Sequence, residues 1–140
     1  MLILDTDHLS EFDRASRAGE RLRERLLTNG EEVAATIISA EEQLRGWLAQ
    51  IHRLHDDPHA QIPIYSRLQR RLEFYARWTV LPWEESCVEL FLKLRREGVR
   101  IGPMDLKIAC IALHRGATLL TRNTSDFAKV PGLNLANWLD

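Results

Sequence analysis

The residues of this sequence that could do chemistry are carboxylates standing at the ends of short apolar runs. Asp5 directly follows one such run near the N-terminus, and Asp126 follows another near the C-terminus. Glu42 and Asp105 each stand near the start of a segment with helical character. If the fold gathers these acids, they repel one another unless a cation neutralises them. An all-oxygen set with no Cys or His nearby suits Mg²⁺, or Mn²⁺, rather than zinc.

Short strands alternating with longer helices would have to position these acids. Apolar and β-branched runs predict four strands and a possible fifth, at Leu2–Leu4, Val33–Ile38, Thr79–Leu81, Ala117–Thr121 and Leu133–Leu135. Apolar residues at helical spacing predict helices from about Gly19 to Leu27, from Ser39 to Leu54, from Ile62 to Trp78, from Glu85 to Arg96, and from Pro103 to a C-cap at Gly116. The alternation predicts an α/β fold, a sandwich with a mainly parallel central sheet. In such sheets the functional crevice lies outside the carboxyl ends of the strands.

The ends of the predicted elements carry further signals. Ser39, followed three residues later by Glu42, resembles a capping box, so we expect Ser39 to cap the helix after the second strand. Asp7 is expected to cap a turn after the first strand rather than to bind a metal. Pro103 suits a first helical turn, and a carboxylate at Asp105 is then favoured by the helix dipole. Taken singly, each acid therefore has an interpretation that needs no metal.

Composition excludes several classes of protein. The 140 residues are 45% hydrophobic and 28% charged, which is typical of a globular protein, and we expect one domain spanning residues 1–140. A net charge of −1 excludes a strongly basic nucleic-acid binder, so contacts with phosphate must come from local arginines or bound cations. No apolar run approaches the length of a membrane span, and no basic leader opens the chain. Cys87 and Cys110 are expected to be buried thiols of a reducing compartment, which favours a cytoplasmic location.

Four short blocks together resemble the motifs of a known family. In chain order they are Ile3–Asp7, Glu42–Gly46, Asp105–Ala109 and Thr121–Phe127. Their order and spacing are similar to those of PIN domains, in particular the VapC-like toxins of bacterial toxin–antitoxin pairs, as is the Asn137-Trp138 ending. No block is specific alone, but four in the right order over essentially the whole chain are a strong signal.

The resemblance implies a three-layer α/β/α fold and a metal-dependent endoribonuclease acting on RNA. It also implies inhibition by a cognate antitoxin protein, and a homodimer. Asp5, Glu42 and Asp105 match the three firm acids of the family. Gly46 places the second match on Glu42 rather than on its neighbour Glu41.

The fourth acid of the family has two candidates in this chain. Some relatives carry Asp where this chain has Asn123, and others use the acid that is Asp126 here. A carboxylate holds a hard cation better than an amide does, so we expect Asp126 to be the ligand and Asn123 to orient water. A further departure from the family pattern is Gln43, which replaces the usual Leu after the second acid.

The acid cluster predicts hydrolysis by a metal-activated water. One or two Mg²⁺ ions would lower the pKa of a bound water and neutralise the phosphodiester, so that no side chain need act as base. The expected ligands are the four acids Asp5, Glu42, Asp105 and Asp126. Side chains that could orient the carboxylates or water by hydrogen bonds are Thr6, Thr121 and Asn123.

Two other functions remain open from the sequence. A strand followed by Asp5-x-Asp7 also opens the aspartyl-phosphate phosphatases, but such an enzyme needs a lysine and a later acidic pair near the site. The one lysine near a motif, Lys107, lies inside a predicted helix, which makes this function the weaker alternative. A catalytically weak binding module with the same fold is the other alternative, which Asn123 in an acid position keeps open.

Three groups of polar and aromatic residues have structural interpretations. A solvated helix face, rather than an RNA groove, is expected for Arg67, Arg70 and Arg71. A polar surface turn, rather than a metal loop, is expected for His52, His55 and His59. Core or interface positions, rather than base-stacking platforms, are expected for Trp47, Trp78, Trp83 and Trp138.

Overall fold

The computed structural model describes residues 1–140 and contains five short strands and seven helices. The strands are β1 (Leu2–Leu4), β2 (Val33–Thr36), β3 (Thr79–Leu81), β4 (Thr118–Leu120) and β5 (Asn134–Ala136). The helices are α1 (Thr6–Phe12), α2 (Arg17–Asn29), α3 (Ile37–Arg53), α4 (Pro58–Arg77), α5 (Glu85–Arg96), α6 (Pro103–Arg115) and α7 (Thr124–Phe127). The predicted bounds of α5, and the predicted start of α6 and its cap at Gly116, are confirmed.

The five strands form one sheet in the order β3-β2-β1-β4-β5, and every neighbouring pair is parallel. β1 lies at the centre, with Ile3 opposite Ala34 of β2 and Leu119 of β4. The chain therefore leaves β1 toward β2 on one side and returns to β4 on the other. This reversal places a crevice at the carboxyl ends of β1 and β4, where ligands bind in open α/β sheets.

Two separate apolar clusters cover the two faces of the sheet. Ile3 joins a cluster of 16 buried residues that is supplied mainly by α5, α6 and the neighbouring strands. Leu2 and Leu4 point to the other face, where they join a cluster of eight with Leu9 of α1 and Leu22 of α2. Alternation along a strand sends successive side chains to opposite faces, so β1 contributes to both clusters. The predicted three-layer α/β/α arrangement is confirmed.

Two predicted caps are wrong, and in both places a residue earlier in the chain supplies the cap. Asp5, not Asp7, caps α1, because its carboxylate accepts from the Thr6 N–H, and Asp7 lies inside the first turn. β2 ends at Thr36, whose hydroxyl accepts from the Ser39 N–H at 3.1 Å, so Thr36 rather than Ser39 caps α3. The β-branched run that predicted a longer strand therefore changes to helix at Thr36, because the hydroxyl of Thr36 accepts a hydrogen bond from a free N–H of the first helical turn.

Other bounds differ from the prediction for similar reasons. α2 begins at Arg17, where the Ser16 side chain caps it. α4 begins at Pro58, after an Asp57 cap, and continues through Pro63. The fifth strand lies one residue later than expected, paired with β4, and α1 and α7 were not predicted at all.

No helix of the protein is both long and apolar enough to cross a membrane. Cys87 and Cys110 are buried free thiols, as expected.

Candidate functional site

Three strand ends and one helix start converge on the crevice. Asp5 follows β1, Glu42 lies in the second turn of α3 after β2, and Asp105 lies in the first turn of α6. Asn123 and Asp126 follow β4. Asp5 is buried, whereas the other acids are half-buried and open to the crevice.

Asp5 is held by both of its oxygens. The Thr6 N–H donates to Oδ1 at 2.8 Å, and the Thr121 hydroxyl donates to Oδ2 at 2.8 Å. The Thr121 oxygen in turn accepts from the Asn123 N–H at 3.0 Å. Thr121 is fully buried, so it fixes the Asp5 carboxylate to the turn that follows β4.

Thr6 reaches the second acid. Its Oγ1 lies 3.4 Å from Oε1 of Glu42 and 3.3 Å from the Ser39 hydroxyl. The first turn of α1 and the first turns of α3 therefore meet at the crevice, with Glu42 turned toward Asp5.

The amide of Asn123 lies between the two remaining acids. Its Nδ2 donates to Asp126 Oδ2 at 3.1 Å and approaches Asp105 Oδ2 at 3.5 Å. Asp126 also lies 3.5 Å from Lys129 Nζ, so part of its charge is already balanced. Both candidates for the fourth acid position thus line the same wall of the crevice as Asp105.

A buried histidine that the sequence analysis did not single out ties this site to the end of the chain. The Trp138 N–H donates to Nε2 of His8 at 3.2 Å, which leaves the proton on Nδ1 to be donated to Asp7 at 2.6 Å. The other oxygen of Asp7 accepts from the Arg122 N–H at 2.9 Å. Burial would raise the pKa of Asp7, but these hydrogen bonds from His8 and Arg122 lower it. Asp7 is thus engaged by hydrogen bonds within the protein. In the sequence, only its position two residues after Asp5 indicated that it lies near the site.

Burial and mutual repulsion raise the pKa values of the three crevice acids. Burial, with the charge of Asp7 added, raises the pKa of Asp5 to about 6, against the Thr121 hydrogen bond that lowers it. Burial also raises the pKa of Glu42, and the charges of Asp5 and Asp105 raise it further. Burial and the charge of Asp126 raise the pKa of Asp105. Each of these groups would be stabilised by a cation.

The protein supplies no such cation to these three acids. Asp5, Glu42 and Asp105 take part in no ion pair with Lys, Arg or His. As the side chains stand, no group of three or more His, Cys, Asp or Glu is close enough to hold a metal ion, so binding would have to draw the carboxylates together. The donor set is all oxygen, and it fits a hard divalent cation such as Mg²⁺ or Mn²⁺.

The prediction that all three arginines of α4 are solvated is wrong for Arg71. Arg67 and Arg70 are exposed as expected, but Arg71 is only 7% exposed. Its guanidinium lies 3.3 Å from Asp13 and 4.6 Å from the ring centroid of Phe74. Besides Phe74 on the same helix, the guanidinium meets Asp13 and Trp47, which are distant in sequence, and the pattern of α4 alone cannot reveal those contacts.

The three histidines are exposed as expected, but only His55 lies in the turn. His52 belongs to the end of α3 and His59 to the start of α4. The four tryptophans are half-buried, and Trp78 packs edge-on against Phe12.

The sequence of this chain matches a known protein family and several of its members. A family model described as the PIN domain matches residues 2–133. Ribonuclease VapC2 of Rickettsia felis is 36% identical over 69 residues, which cover 46% of this chain and 52% of that protein. A tRNA(fMet)-specific endonuclease VapC of Salmonella typhimurium is 30% identical over the same shares of the two chains. The match thus spans about half the length of these curated relatives.

Among solved structures, the chain is similar to one described as a toxin-antitoxin complex from Klebsiella pneumoniae. The TM-score is 0.68 at 22% sequence identity, and the match covers 99% of this chain and 98% of the other. At this level of identity the likeness concerns the fold, which agrees over nearly the whole length.

Proposed function

This chain belongs to the PIN domain family, and on that premise we propose that it is a Mg²⁺-dependent endoribonuclease, the toxin of a toxin–antitoxin pair. The observation that carries the proposal is the group of three unpaired carboxylates with raised pKa values, Asp5, Glu42 and Asp105. Raised pKa values cluster at functional sites because such sites concentrate like charges that a substrate or cofactor later balances. The relative in Rickettsia felis is named a ribonuclease.

The acids of the crevice and the polar residues beside them have different tasks in this proposal. Asp5, Glu42, Asp105 and Asp126 would hold the metal. When bound, the metal supplies an activated water and neutralises charge on the phosphodiester. Thr121 orients the carboxylate of Asp5 by a hydrogen bond, and Thr6 orients that of Glu42 in the same way. Asn123, whose amide already donates to an acid, would orient water beside Asp105.

Local geometry argues against the phosphatase alternative. An aspartyl-phosphate enzyme needs a free second acid and a lysine beside the nucleophile. Here Asp7 is engaged by His8 and the Arg122 N–H. Lys107 Nζ lies 5.8 Å from the ring centroid of Trp83, on another side of α6. Neither group is free to serve Asp5.

A cleavage assay tests the proposal. The purified chain is incubated with RNA in Mg²⁺, in Mn²⁺ and in EDTA, beside Asp5→Asn as a control with the same shape. We expect RNA fragments only with the metal and only from the wild-type chain. If the chain leaves RNA intact with every divalent ion, the result favours the binding module. If it hydrolyses a phosphate monoester through a phosphoaspartate intermediate, the result favours the phosphatase.

A cognate antitoxin protein and a homodimer complete the proposal. An acidic crevice is an attractive dock for an arginine, whose planar fork pairs with carboxylates. We therefore expect a small partner that blocks the crevice through a basic anchor. Co-expression with its antitoxin should give a stable complex without RNA cleavage, and replacing the basic anchor of the antitoxin should restore cleavage. Light scattering of the purified chain measures whether it is a dimer.

A further inference from the structure

A second polar feature adjoins the acids and is not used in the mechanism above. It is a groove of about 660 Å³ between α1, α3 and α4, within the ~300–1,000 Å³ range of ligand pockets. Its lining is polar apart from one tryptophan, and the residues that matter here are Gln43, Trp47, Gln50, Arg67 and Arg71. We call it the α4 groove.

Two buried side-chain polar atoms without a hydrogen-bond partner lie in the groove. They are Nη1 of Arg71 and Oε1 of Gln50. Arg71 is 7% exposed, and its bond to Asp13 uses Nη2, not Nη1. A buried donor on a guanidinium left without a partner is costly, more so than a neutral one. The groove therefore contains a buried donor on Arg71 that lacks an acceptor, beside a buried acceptor on Gln50 that lacks a donor.

The remaining lining favours an anion that carries a flat group. Three arginines and two acids line the groove: Arg14, Arg67 and Arg71, with Asp13 and Glu42. Arg14 is paired with Glu11, outside the groove. Asp13 is already paired with Arg71, and Arg67 is an exposed arginine that takes part in no ion pair. The indole of Trp47 lies in the same groove, and an aromatic side chain beside arginines is the combination on which nucleic-acid bases stack.

The polar floor of the groove is braced. Gln43 approaches the Ser10 hydroxyl with Nε2 at 3.3 Å and accepts a hydrogen bond from the Tyr75 hydroxyl. It thereby joins α1 to α4. Gln43 thus links the two helices beside the groove by hydrogen bonds that an apolar side chain could not make.

The position of the groove connects it with the acids, because Glu42 lines the groove and also faces Asp5 in the crevice. We propose that the α4 groove binds a nucleotide of the RNA strand next to the one that is cut, with its phosphate on Arg71 and Arg67 and its base against Trp47. The inference rests on the proposed ribonuclease function and assigns that site its adjoining substrate contact. An acidic protein segment would satisfy the arginines but would leave Trp47 without a base to stack on.

Binding without cleavage tests the groove. An eight-nucleotide single-stranded RNA with a fluorescent end label is titrated with the full-length protein in EDTA, and its anisotropy is measured at several salt concentrations. Arg67→Gln and Arg70→Gln form a matched pair, because both arginines are exposed on α4 and both changes remove one charge, yet only Arg67 lines the groove. Arg67→Gln should weaken binding and lower the slope of log affinity against log salt by about 0.7, whereas Arg70→Gln should change neither.

Arg71→Gln should raise the dissociation constant at least about tenfold, as expected for loss of a hydrogen bond to a charged group. Since Arg71 is buried, circular dichroism must show that this variant is folded, and the exposed Arg67 variant decides the matter if it is not. Equal affinities of Arg67→Gln and Arg70→Gln would overturn the proposal. Displacement of the RNA by an octaglutamate peptide at equal concentration would also overturn it, in favour of an acidic protein segment.

Failure of the groove and failure of the ribonuclease give different results. A protein that cleaves RNA with Mg²⁺ but shows equal binding by the Arg67 and Arg70 variants loses only the groove. A protein that binds RNA through Arg67 yet never cleaves it loses the ribonuclease and keeps the groove as a binding site.

Discussion

The hydroxyl of Thr121 donates a 2.8 Å hydrogen bond to Oδ2 of Asp5, although 116 residues separate the two in sequence. The bond joins the carboxyl ends of β1 and β4, two neighbouring parallel strands. Between them the order of strands along the sheet changes direction. Because Asp5 also caps α1 through its other oxygen, one buried carboxylate serves the fold and the site at once. The effect of the Asp5 charge on the stability of the folded protein can therefore be measured without any substrate.

Asp5 should make the stability of the metal-free protein depend on pH. Burial raises the pKa of Asp5 from 3.8 to about 6, so the folded chain holds this proton more tightly than the unfolded chain does. The resulting stabilisation is complete below pH 4 and is lost as pH rises through about 6. Asp5→Asn removes the charge and replaces one of the two acceptor oxygens by an NH2 group. Near pH 7 it should therefore be more stable than wild type, by less than the about 3 kcal/mol that the shift in pKa represents.

Urea denaturation in EDTA at pH 4, 5, 6 and 7 measures this difference. Asp56→Asn is the control, since that carboxylate is 92% exposed and its removal should change stability little at any of these pH values. A gain from Asp5→Asn that is as large at pH 4 as at pH 7 would contradict the assignment of the effect to charge.

A divalent cation should reverse that penalty in the wild-type chain. Mg²⁺ or Mn²⁺ should raise the free energy of unfolding by about 2.7 kcal/mol at a hundredfold excess over the dissociation constant. Thermal unfolding with and without each ion measures it, and Asp5→Asn should respond much less. Stabilisation by zinc alone, or by no divalent ion, would count against the site.

Local patterns predicted most of the architecture because its elements satisfy local rules. α6 is apolar almost all round and is bounded by Pro103 and Gly116, so both its type and its ends could be predicted. α1 could not, because its seven residues are held by a cap on Asp5 and by Leu9, which packs against Leu22 of another helix. Short elements of this kind depend on partners that sequence spacing does not reveal.

The same distinction applies to the site. Asp5 and Asp105 could be found because each stands at the boundary of a strong element. The role of Asp7 depends on the Arg122 N–H, 115 residues away, and the ion-pair partner of Arg71 is Asp13, 58 residues away. Such contacts follow from the complete fold and not from any segment of it.

The join between α1 and α2 should tolerate no side chain at Gly19. A Cβ there would lie 2.3 Å from the carbonyl oxygen of Glu11 and 2.7 Å from that of Arg14. Gly19→Ala should therefore cost about 1–3 kcal/mol despite the helix preference of Ala. Gly46→Ala, in α3, meets no atom within 4 Å and should stabilise by about 0.5–1 kcal/mol. Urea denaturation of the two variants checks both signs, and a stabilised Gly19→Ala would show that the join is looser than described.

Asp105→Asn should abolish RNA cleavage while leaving the fold intact. The change removes a charge that raises the pKa of Asp5 and of Glu42, so repulsion in the metal-free crevice falls. Cleavage should drop by more than the about 10–100-fold typical of residues that only support a metal ligand. Rates at saturating Mg²⁺, with circular dichroism of the same sample, measure both effects. Cleavage near the wild-type rate would show that Asp105 is not part of the site.

Asn123 and Asp126 should separate metal binding from turnover. The Asn123 amide lies 3.1 Å from Asp126 and 3.5 Å from Asp105, so both residues can reach a cation between the acids. An anionic oxygen binds Mg²⁺ far better than an amide does. Asp126→Asn should therefore weaken metal affinity, measured by calorimetry with Mn²⁺, and Asn123→Ala should bind metal almost normally while cleaving more slowly. Lys129→Gln is the control, because it removes the 3.5 Å neighbour of Asp126 without touching a proposed ligand, and freeing that carboxylate should leave metal affinity equal or higher. If Asn123→Ala loses the metal while Asp126→Asn keeps it, the two residues exchange roles.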